Sequence, residues 1–287
     1  MVFFKRLSAE GPVKFFYEVI REKRGVLISR RTMLKVFFGS FFIQSSWSFE
    51  KMQTLGFAAA LRPALKELYA DDAAGVQGAL RRHLNFYNAH PYMASPILGA
   101  VIKIEEKARA GECGDERALR FKSMVMAPFS ALGDLFFWGS LRPLASSAAV
   151  IMTVFWGIWG PLLFLVMYNF FHLWMRYRGL KKGYELGEGV AGYITSLRLA
   201  RWSGRVRSLA TAILGFGGAA AALKIFSVYT GGGAGLFFSG AFLLRAAPVA
   251  AVALASAILL KRGFSIPRLV YIFIPPLIVY GVLTAAG

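Results

Sequence analysis

An uncharged run at residues 144–175 constrains the fold of this chain more than any other feature. It contains no Asp, Glu, Lys or Arg, and it is longer than the ~20 residues that an α-helix needs to cross a bilayer core. The whole chain is 56% hydrophobic with a mean hydropathy of +0.52, more apolar than soluble domains usually are. We therefore expect an all-α integral membrane protein with multiple transmembrane helices.

The segment directly before this run, residues 126–143, is apolar and aromatic but holds one carboxylate, Asp134. It contains Gly133 and Gly139 and is bracketed by two prolines, and both residue types interrupt helices. Many transporters build solute sites near the bilayer midplane from interrupted helices that carry a lone acid. Asp134 is thus a candidate solute ligand, and the alternative is that it caps a helix or pairs with Arg142.

The net charge of +19 is the next constraint on function. Lys and Arg lie between apolar runs rather than on one soluble face, which is the positive-inside pattern of cytoplasmic loops and argues against nucleic acid as a partner. Residues 1–35 carry many more cations than acids, interleaved with aromatic and aliphatic residues. This stretch predicts a basic amphipathic arm on the anionic cytoplasmic leaflet, or alternatively a charged tail; both place the N-terminus in the cytoplasm.

The sequence contains no residue pattern that is typical of a metal site or a catalytic site. The single Cys113 excludes an internal disulfide, and no CxxC or Cys/His cluster indicates a metal. His90 has no nucleophile or second acid near it in sequence that would complete a catalytic set. We therefore predict no catalytic residue, no metal and no cofactor on this chain.

Residues 44–57 (QSSWSFEKMQTLGF) carry a mixed aromatic and polar pattern. At helical spacing Trp47, Glu50 and Thr54 share one face, with Gln53 beside them. Such a face suits a sugar, because a ring stacks on pyranose C–H groups while polar groups bind the hydroxyls. The alternative is an interfacial Trp beside a solvated acid.

The stretch from Asp72 to Pro91 predicts a helix and its end. Asp71 and Asp72 have the position of an N-cap for a helix that reaches about residue 87. His90 precedes Pro91, and a residue before proline avoids helical geometry, so His90 should end a helix. Asn88 and His90 would then stand at the mouth of a kinked, apolar segment that is another candidate ligand wall.

Prolines and basic residues organise the second half of the chain. A basic cluster directly after the uncharged run should lie in the cytoplasm, and it consists of Arg176, Arg178, Lys181 and Lys182. Pro161 in the uncharged run either kinks one tilted helix or separates two half-helices. The interrupted helices and hairpins of residues 36–143 would thus be followed by transmembrane spans in residues 144–287. The later apolar segments that predict these spans are residues 209–226, 236–260 and 269–286.

Taken together, five motifs resemble the IID subunit of the mannose/fructose/sorbose family of the bacterial phosphotransferase system (PTS). The resemblance runs from about residue 36 to the C-terminus. The motifs that carry it are residues 44–57, RHLNFYNAHPY at 82–92 with SPILG at 95–99, LGDLFFWGSLRP at 132–143, GPLLF at 160–164 and YRGLKKGYELG at 177–187.

The resemblance implies a division of labour among several subunits. A IID subunit pairs with a homologously folded IIC subunit, and together they form the channel for a hexose in the bacterial inner membrane. Cytoplasmic IIA and IIB carry phosphohistidines, and IIB passes the phosphoryl group to the arriving sugar. IID bears no phosphorylated residue, and the IIC–IID pairs assemble into trimers. Residues 36–287 would form the multi-pass IID membrane domain.

Polar residues within the apolar motifs are the candidate site. Those expected to bind the hexose are Gln44, Trp47, Glu50, Asn88, Asp134 and Trp138. Those expected to contact IIB or anionic membrane lipid are Arg81, Arg82, Lys181 and Lys182.

Three stretches depart from the family pattern. Ser48 follows Trp47 where the family usually has Asn, and residues 127–134 (APFSALGD) lack two of the glycines of the family's GPLAGxGD. Residues 198–210 are basic where the family often carries QKLTEGA. These departures motivate a second hypothesis, a regulatory or sensing membrane protein that kept the fold and lost transport.

Overall fold

The computed structural model describes residues 28–218, residue 220, and single positions or short runs between 251 and 276. Most of the basic arm and of the three late apolar segments lies outside the described residues, as do the predictions made for them. The chain divides into two compact units, Met1–Gly217 and Gly218–Gly287. All elements named below belong to the first unit.

Within the described residues of this unit the secondary structure is helical, with isolated β-bridges and no strand. The helices are α1 (Arg30–Gly39), α2 (Thr54–Leu68), α3 (Ala73–His83), α4 (Ala94–Arg109), α5 (Arg117–Gly133), α6 (Arg142–Trp156), α7 (Trp159–Leu186), α8 (Val190–Ser196) and α9 (Leu199–Ala212). Two π-helical segments follow α5 and α9, namely Asp134–Leu141 and Ile213–Gly217. The expected all-α fold is confirmed.

The predicted cap of α3 is confirmed, but its predicted end is not. The Asp72 carboxylate accepts a hydrogen bond of 2.7 Å from the Gly75 N–H, as an N-cap does. The helix stops at His83 rather than near residue 87, because the next backbone groups bond elsewhere: the Tyr87 carbonyl accepts from the Gln53 N–H. The prediction that His90 ends a helix is therefore wrong, since His90 lies in the loop before α4.

The central stretch forms one interrupted helix. The elements α5, Asp134–Leu141 and α6 follow each other without a break, and together, as Arg117–Trp156, they are long and apolar enough to cross a membrane. In the described part of the chain this is the one helix that meets that test. The interruption is a π-helical widening rather than a loop, and such widenings are frequent at functional sites.

The uncharged run is divided into two helices, as one of the two expected alternatives has it. The break lies at Gly157, whose φ is 59°, and not at Pro161. Pro161 lies in the first turn of α7, where its missing N–H has no intrahelical acceptor to lose. The helices α6 and α7 pack against each other across this turn as a hairpin.

The core is centred on α4, which packs along α7 with very close backbone contact. A methyl group on Gly99 would collide with the Leu180 carbonyl, and one on Gly183 with the Pro96 carbonyl. Small residues at such crossings let two helices approach closely, which is how membrane helices gain packing energy.

A buried ionic network fixes the far end of α4. The Glu105 carboxylate is fully buried and accepts hydrogen bonds from Arg82 Nε at 3.0 Å, Arg82 Nη2 at 2.8 Å and the Tyr69 hydroxyl at 3.2 Å. His83 Nε2 lies 2.9 Å from the same carboxylate. Arg82 also pairs with Asp115 at 3.2 Å.

Opposing effects set the charges in this network. Burial by itself raises the pKa of Glu105, but the hydrogen bonds from His83 and Arg82 outweigh it and hold the pKa at about 2. Burial lowers the pKa of His83, so the ring is neutral at pH 7. Because a carboxylate only accepts, we assign the proton of the neutral imidazole to Nε2, and the contact is a hydrogen bond rather than an ion pair.

Candidate functional site

The first motif, residues 44–57, and the second motif, residues 82–92, are joined by hydrogen bonds between their loops. Gln53 donates from its N–H to the Tyr87 carbonyl at 2.9 Å, and its side-chain Oε1 accepts from the Ala89 N–H at 3.3 Å. The Thr54 hydroxyl donates to the Asn85 carbonyl at 3.2 Å. The loop that ends at Gln53 is thus fixed to the loop that begins after α3.

The expectation of a helical face across the first motif is wrong. Residues 45–53 form turns, and α2 begins only at Thr54. Met52 has a φ of 50°, and its N–H donates to the Ser48 carbonyl at 2.8 Å, which closes a tight loop. Trp47 and Glu50 are therefore exposed on this loop while Thr54 is buried, so the three do not share a face.

The third motif, residues 132–143, contacts the second motif at His90. The His90 ring stacks on Phe137 with centroids 5.2 Å apart, and it meets the Trp138 ring at 4.9 Å. Gly133, directly before the π-segment, permits this contact, since a methyl group there would collide with the His90 side chain. The three motifs thus converge in space although up to 90 residues separate them in sequence.

A polar face of α7 extends the cluster. Tyr168, His172 and Arg176 follow at intervals of four residues and so lie on one side of the helix. The Tyr92 hydroxyl lies 3.3 Å from that of Tyr168, and the Tyr92 ring stacks on His172 with centroids 4.1 Å apart. We call Tyr92, Phe137, Trp138 and Tyr168, together with His90 and His172, the aromatic cluster.

Arg176 places a buried cation beside the aromatic cluster. Its Nη1 donates to the Ser40 carbonyl at 2.5 Å and to the Ser40 hydroxyl at 2.9 Å, and its Nε donates to His172 Nε2 at 2.8 Å. The guanidinium also lies over the rings of Phe41 and Tyr92, at 4.7 and 5.3 Å. None of the carboxylates in the described residues pairs with it.

Two buried polar atoms near these loops have no hydrogen-bond partner among the described residues: His90 Nε2 and the Tyr87 hydroxyl. His90 Nδ1 accepts from the Tyr92 N–H at 3.3 Å, so we assign the ring proton to Nε2, which is then an unused donor. An unsatisfied buried donor costs about 1–3 kcal/mol. Such groups are frequent where a protein binds something further.

The candidate sugar-binding residues occupy the outside of this arrangement. Asp134 begins the π-segment, is exposed, and has its carboxylate within hydrogen-bonding reach of the Ser130 hydroxyl. The expected ion pair between Asp134 and Arg142 is absent from the described structure. Trp138, one turn further, is 45% exposed beside His90.

The remaining candidates lie in two loops. Gln44, Trp47 and Glu50 are exposed in the loop after α1. Asn88 is exposed in the loop before α4, where its backbone N–H lies 3.1 Å from Met126 Sδ. Hydrogen bonds at Gln53 link the two loops, so these candidates belong to one assembly of loops.

The basic candidates differ in how free their charges are. Arg81 is exposed, whereas Arg82 is held within the chain by Glu105 and Asp115. Lys182 pairs with Glu185 at 2.8 Å, and Lys181 lies 3.8 Å from the same carboxylate. Arg81 is thus the one of these four with no described ion pair.

Sequence reasoning missed the polar face of α7. Tyr92, Tyr168, His172 and Arg176 were not among the expected site residues, and Arg176 belonged to a cluster expected in the cytoplasm. The signal was the four-residue spacing of Tyr168, His172 and Arg176 at the end of the uncharged run. Within the described residues, no three His, Cys, Asp or Glu side chains come together so as to hold a metal ion.

Comparison with known proteins identifies the family. Residues 27–225 match the model of the PTS system mannose/fructose/sorbose family IID component. The chain belongs to this family. It is a membrane protein of the mannose-type PTS, in agreement with the resemblance of its motifs.

Its relatives include proteins named for different sugars. The chain is 38% identical over 153 residues to the mannose-specific EIID component of Escherichia coli K12. This alignment covers 53% of this chain and 54% of that protein. It is 34% identical over 168 residues to the fructose permease IID component of Bacillus subtilis, covering 58% and 60%. The matched region therefore spans little more than half of these relatives.

Solved structures share the fold. One, described as the mannose transporter ManYZ in complex with microcin E492, is 32% identical with a TM-score of 0.54 and covers 66% of this chain and 69% of that one. A second, described as a membrane protein, is 32% identical with a TM-score of 0.60 and covers 65% and 69%. These matches confirm the helical membrane fold.

Proposed function

We propose that this chain is the IID subunit of a PTS sugar permease and that, with a IIC partner, it translocates a hexose of the mannose, fructose or sorbose class. Cytoplasmic IIB, supplied by IIA, would phosphorylate the sugar as it arrives. The observation that carries the proposal is that residues 85–90 contact both other motifs, through hydrogen bonds to Gln53 and Thr54 and through His90 to Phe137 and Trp138, in a chain that belongs to the IID family.

The chemistry of this assembly fits a sugar. Trp138 offers a partly exposed ring next to the buried His90, and rings of this kind stack on the C–H face of a pyranose. Asp134, on the same π-segment, offers a carboxylate that accepts hydrogen bonds from hydroxyls. The exposed loop with Gln44, Trp47 and Glu50 would add an amide, a ring and a second acid.

The chemical step would take place between other groups. The phosphoryl group would leave the histidine nitrogen of IIB as the P–N bond breaks, and a new P–O bond would form to a sugar hydroxyl. The hydroxyl proton would pass to the freed histidine or to solvent. This chain would supply the path for the acceptor and needs no phosphorylated residue for that role.

The same proposal places the chain in the bacterial inner membrane with its N-terminus in the cytoplasm. The excess of cations in residues 1–35 supports this orientation. We further propose that IIC–IID pairs assemble as trimers, with residues 36–287 as the IID membrane domain. Arg81, Arg82, Lys181 and Lys182 would face the cytoplasmic side, where they could meet IIB or anionic lipid.

The test is hexose uptake in a bacterial host that lacks its own mannose-type permease. The host would express this chain with its IIC, IIA and IIB partners, and phosphoenolpyruvate-dependent accumulation of labelled mannose, fructose and sorbose would be measured. We expect one of these hexoses to accumulate as its phosphate. Asp134→Asn and Glu50→Gln should each lower that uptake at least ten-fold.

Matched controls are Asp71→Asn and Glu116→Gln, which remove exposed acids outside the motifs and should leave uptake unchanged. Equal membrane levels of all variants must be verified by immunoblot. Uptake that is insensitive to both Asp134→Asn and Glu50→Gln would contradict the site. A complete complex that accumulates no hexose would instead favour the regulatory hypothesis.

A further inference from the structure

An exposed basic and aromatic face runs along α9. Leu199, Ser203 and Ala210 are buried, and the helix packs on the Asp134–Leu141 segment and on α6. The exposed face carries Arg198, at the N-cap, followed by Arg201, Trp202, Arg205 and Leu209. Because these residues follow at helical intervals of three and four, they point to the same side.

The positive charge of this face is uncompensated. None of the arginines from Arg198 to Arg207 forms an ion pair with a described residue. The rest of the sequence cannot supply the missing negative charge, because residues 189–287 contain no Asp or Glu. The anions that balance this face must therefore come from acids earlier in the chain or from another molecule.

The apolar part of the face indicates which molecule. Trp202 is 51% exposed and Leu209 is 53% exposed, and the Arg205 guanidinium lies 5.2 Å from the Trp202 ring centroid. Arg beside exposed Trp and Leu is the composition of helices that lie at the membrane interface, with rings among the acyl chains and cations among the headgroups. An acidic protein would match the charge but would leave the exposed apolar side chains without such an environment.

We propose that α9 is a binding surface for anionic phospholipid headgroups, formed by Arg198, Arg201 and Arg205 with Trp202 as the interfacial anchor. The surface lies on the exposed side of α9, whereas the buried side of α9 carries Leu199, Ser203 and Ala210. It also lies in the stretch where this chain departs from the usual pattern of its family.

Native mass spectrometry of the full-length protein tests the proposal. The protein would be released from micelles that contain equal amounts of phosphatidylglycerol and phosphatidylcholine, and the retained lipids would be counted. The wild type should retain phosphatidylglycerol preferentially. Since each basic residue near an anionic surface strengthens attraction by about five-fold, Arg201→Gln with Arg205→Gln should weaken retention by about 25-fold.

The matched control is Arg62→Gln with Arg120→Gln, two exposed arginines elsewhere, which should retain phosphatidylglycerol like the wild type. Equal retention of both lipids by the wild type would overturn the proposal. So would release of the lipid by soluble glycerol phosphate at equal concentration, because that would indicate a site for free phosphates. A double variant that keeps its lipid but loses IIB-dependent phosphorylation would assign the face to a protein contact instead.

Discussion

Replacing Glu105 by Gln should destabilise the fold strongly at neutral pH and progressively less as the pH falls below 4.5. The carboxylate is buried and accepts hydrogen bonds from Arg82, His83 and Tyr69. Its pKa is about 2, against an ordinary value of 4.5. Because each pKa unit corresponds to about 1.4 kcal/mol, the ionised carboxylate contributes about 3 kcal/mol.

The sign of the pH dependence follows from this pKa. A carboxyl whose folded pKa lies below its unfolded pKa stabilises the fold fully above about pH 4.5, and this stabilisation is lost as the pH falls toward 2. Glu105→Gln should therefore lower the free energy of unfolding by about 3 kcal/mol at pH 7. The difference from the wild type should shrink as the pH falls below 4.5, because a protonated Glu105 resembles Gln.

The assay is urea unfolding of the detergent-solubilised protein, followed by near-UV circular dichroism from pH 7 to pH 3. Glu116→Gln, which removes an exposed acid, is the control and should follow the wild type at every pH. A difference between the wild type and Glu105→Gln that is the same at pH 7 and pH 3 would refute the reasoning.

Three further substitutions test other parts of the fold. Gly183→Ala should destabilise the detergent-solubilised protein by about 1–3 kcal/mol, because the methyl group meets the Pro96 carbonyl; Gly192→Ala, in open space, should not lower the unfolding midpoint. Asp72→Ala should cost about 1 kcal/mol through loss of the α3 cap, with Asp72→Asn retaining most of it. Arg176→Lys cannot bond the Ser40 and His172 acceptors together, so its thermal unfolding midpoint should fall by an amount equivalent to about 1–3 kcal/mol.

Local features of the fold were predictable from the sequence because local chemistry determines them. Asp72 precedes a helical pattern and caps α3. The division of the uncharged run was also predictable. The location of the break at Gly157 was not predictable. A proline can lie in the first turn of a helix as well as at a break, so Pro161 did not by itself locate the break.

The site was harder to predict because distant contacts build it. The loop ending at Gln53 takes its shape from the carbonyl of Tyr87 and from the backbone of Met52, and neither influence is visible in helical spacing. The sequence predicted that Arg82 contacts IIB or lipid, but its side chain bonds to the buried Glu105, which follows 23 residues later. The contact between His90 and the π-segment could not be predicted, because it depends on the missing side chain of Gly133, which is distant in sequence.

The most direct test of the central claim is hexose binding by the purified IIC–IID pair, measured by isothermal titration calorimetry. Trp138→Leu keeps an apolar side chain but removes the ring beside His90, and Trp156→Leu removes another exposed ring at the end of α6 as the control. We expect binding about five-fold weaker for Trp138→Leu, since stacking on a ring is worth about 1 kcal/mol beyond its buried area, and unchanged binding for Trp156→Leu. Equal affinity for the wild type and Trp138→Leu would contradict a sugar path at the π-segment.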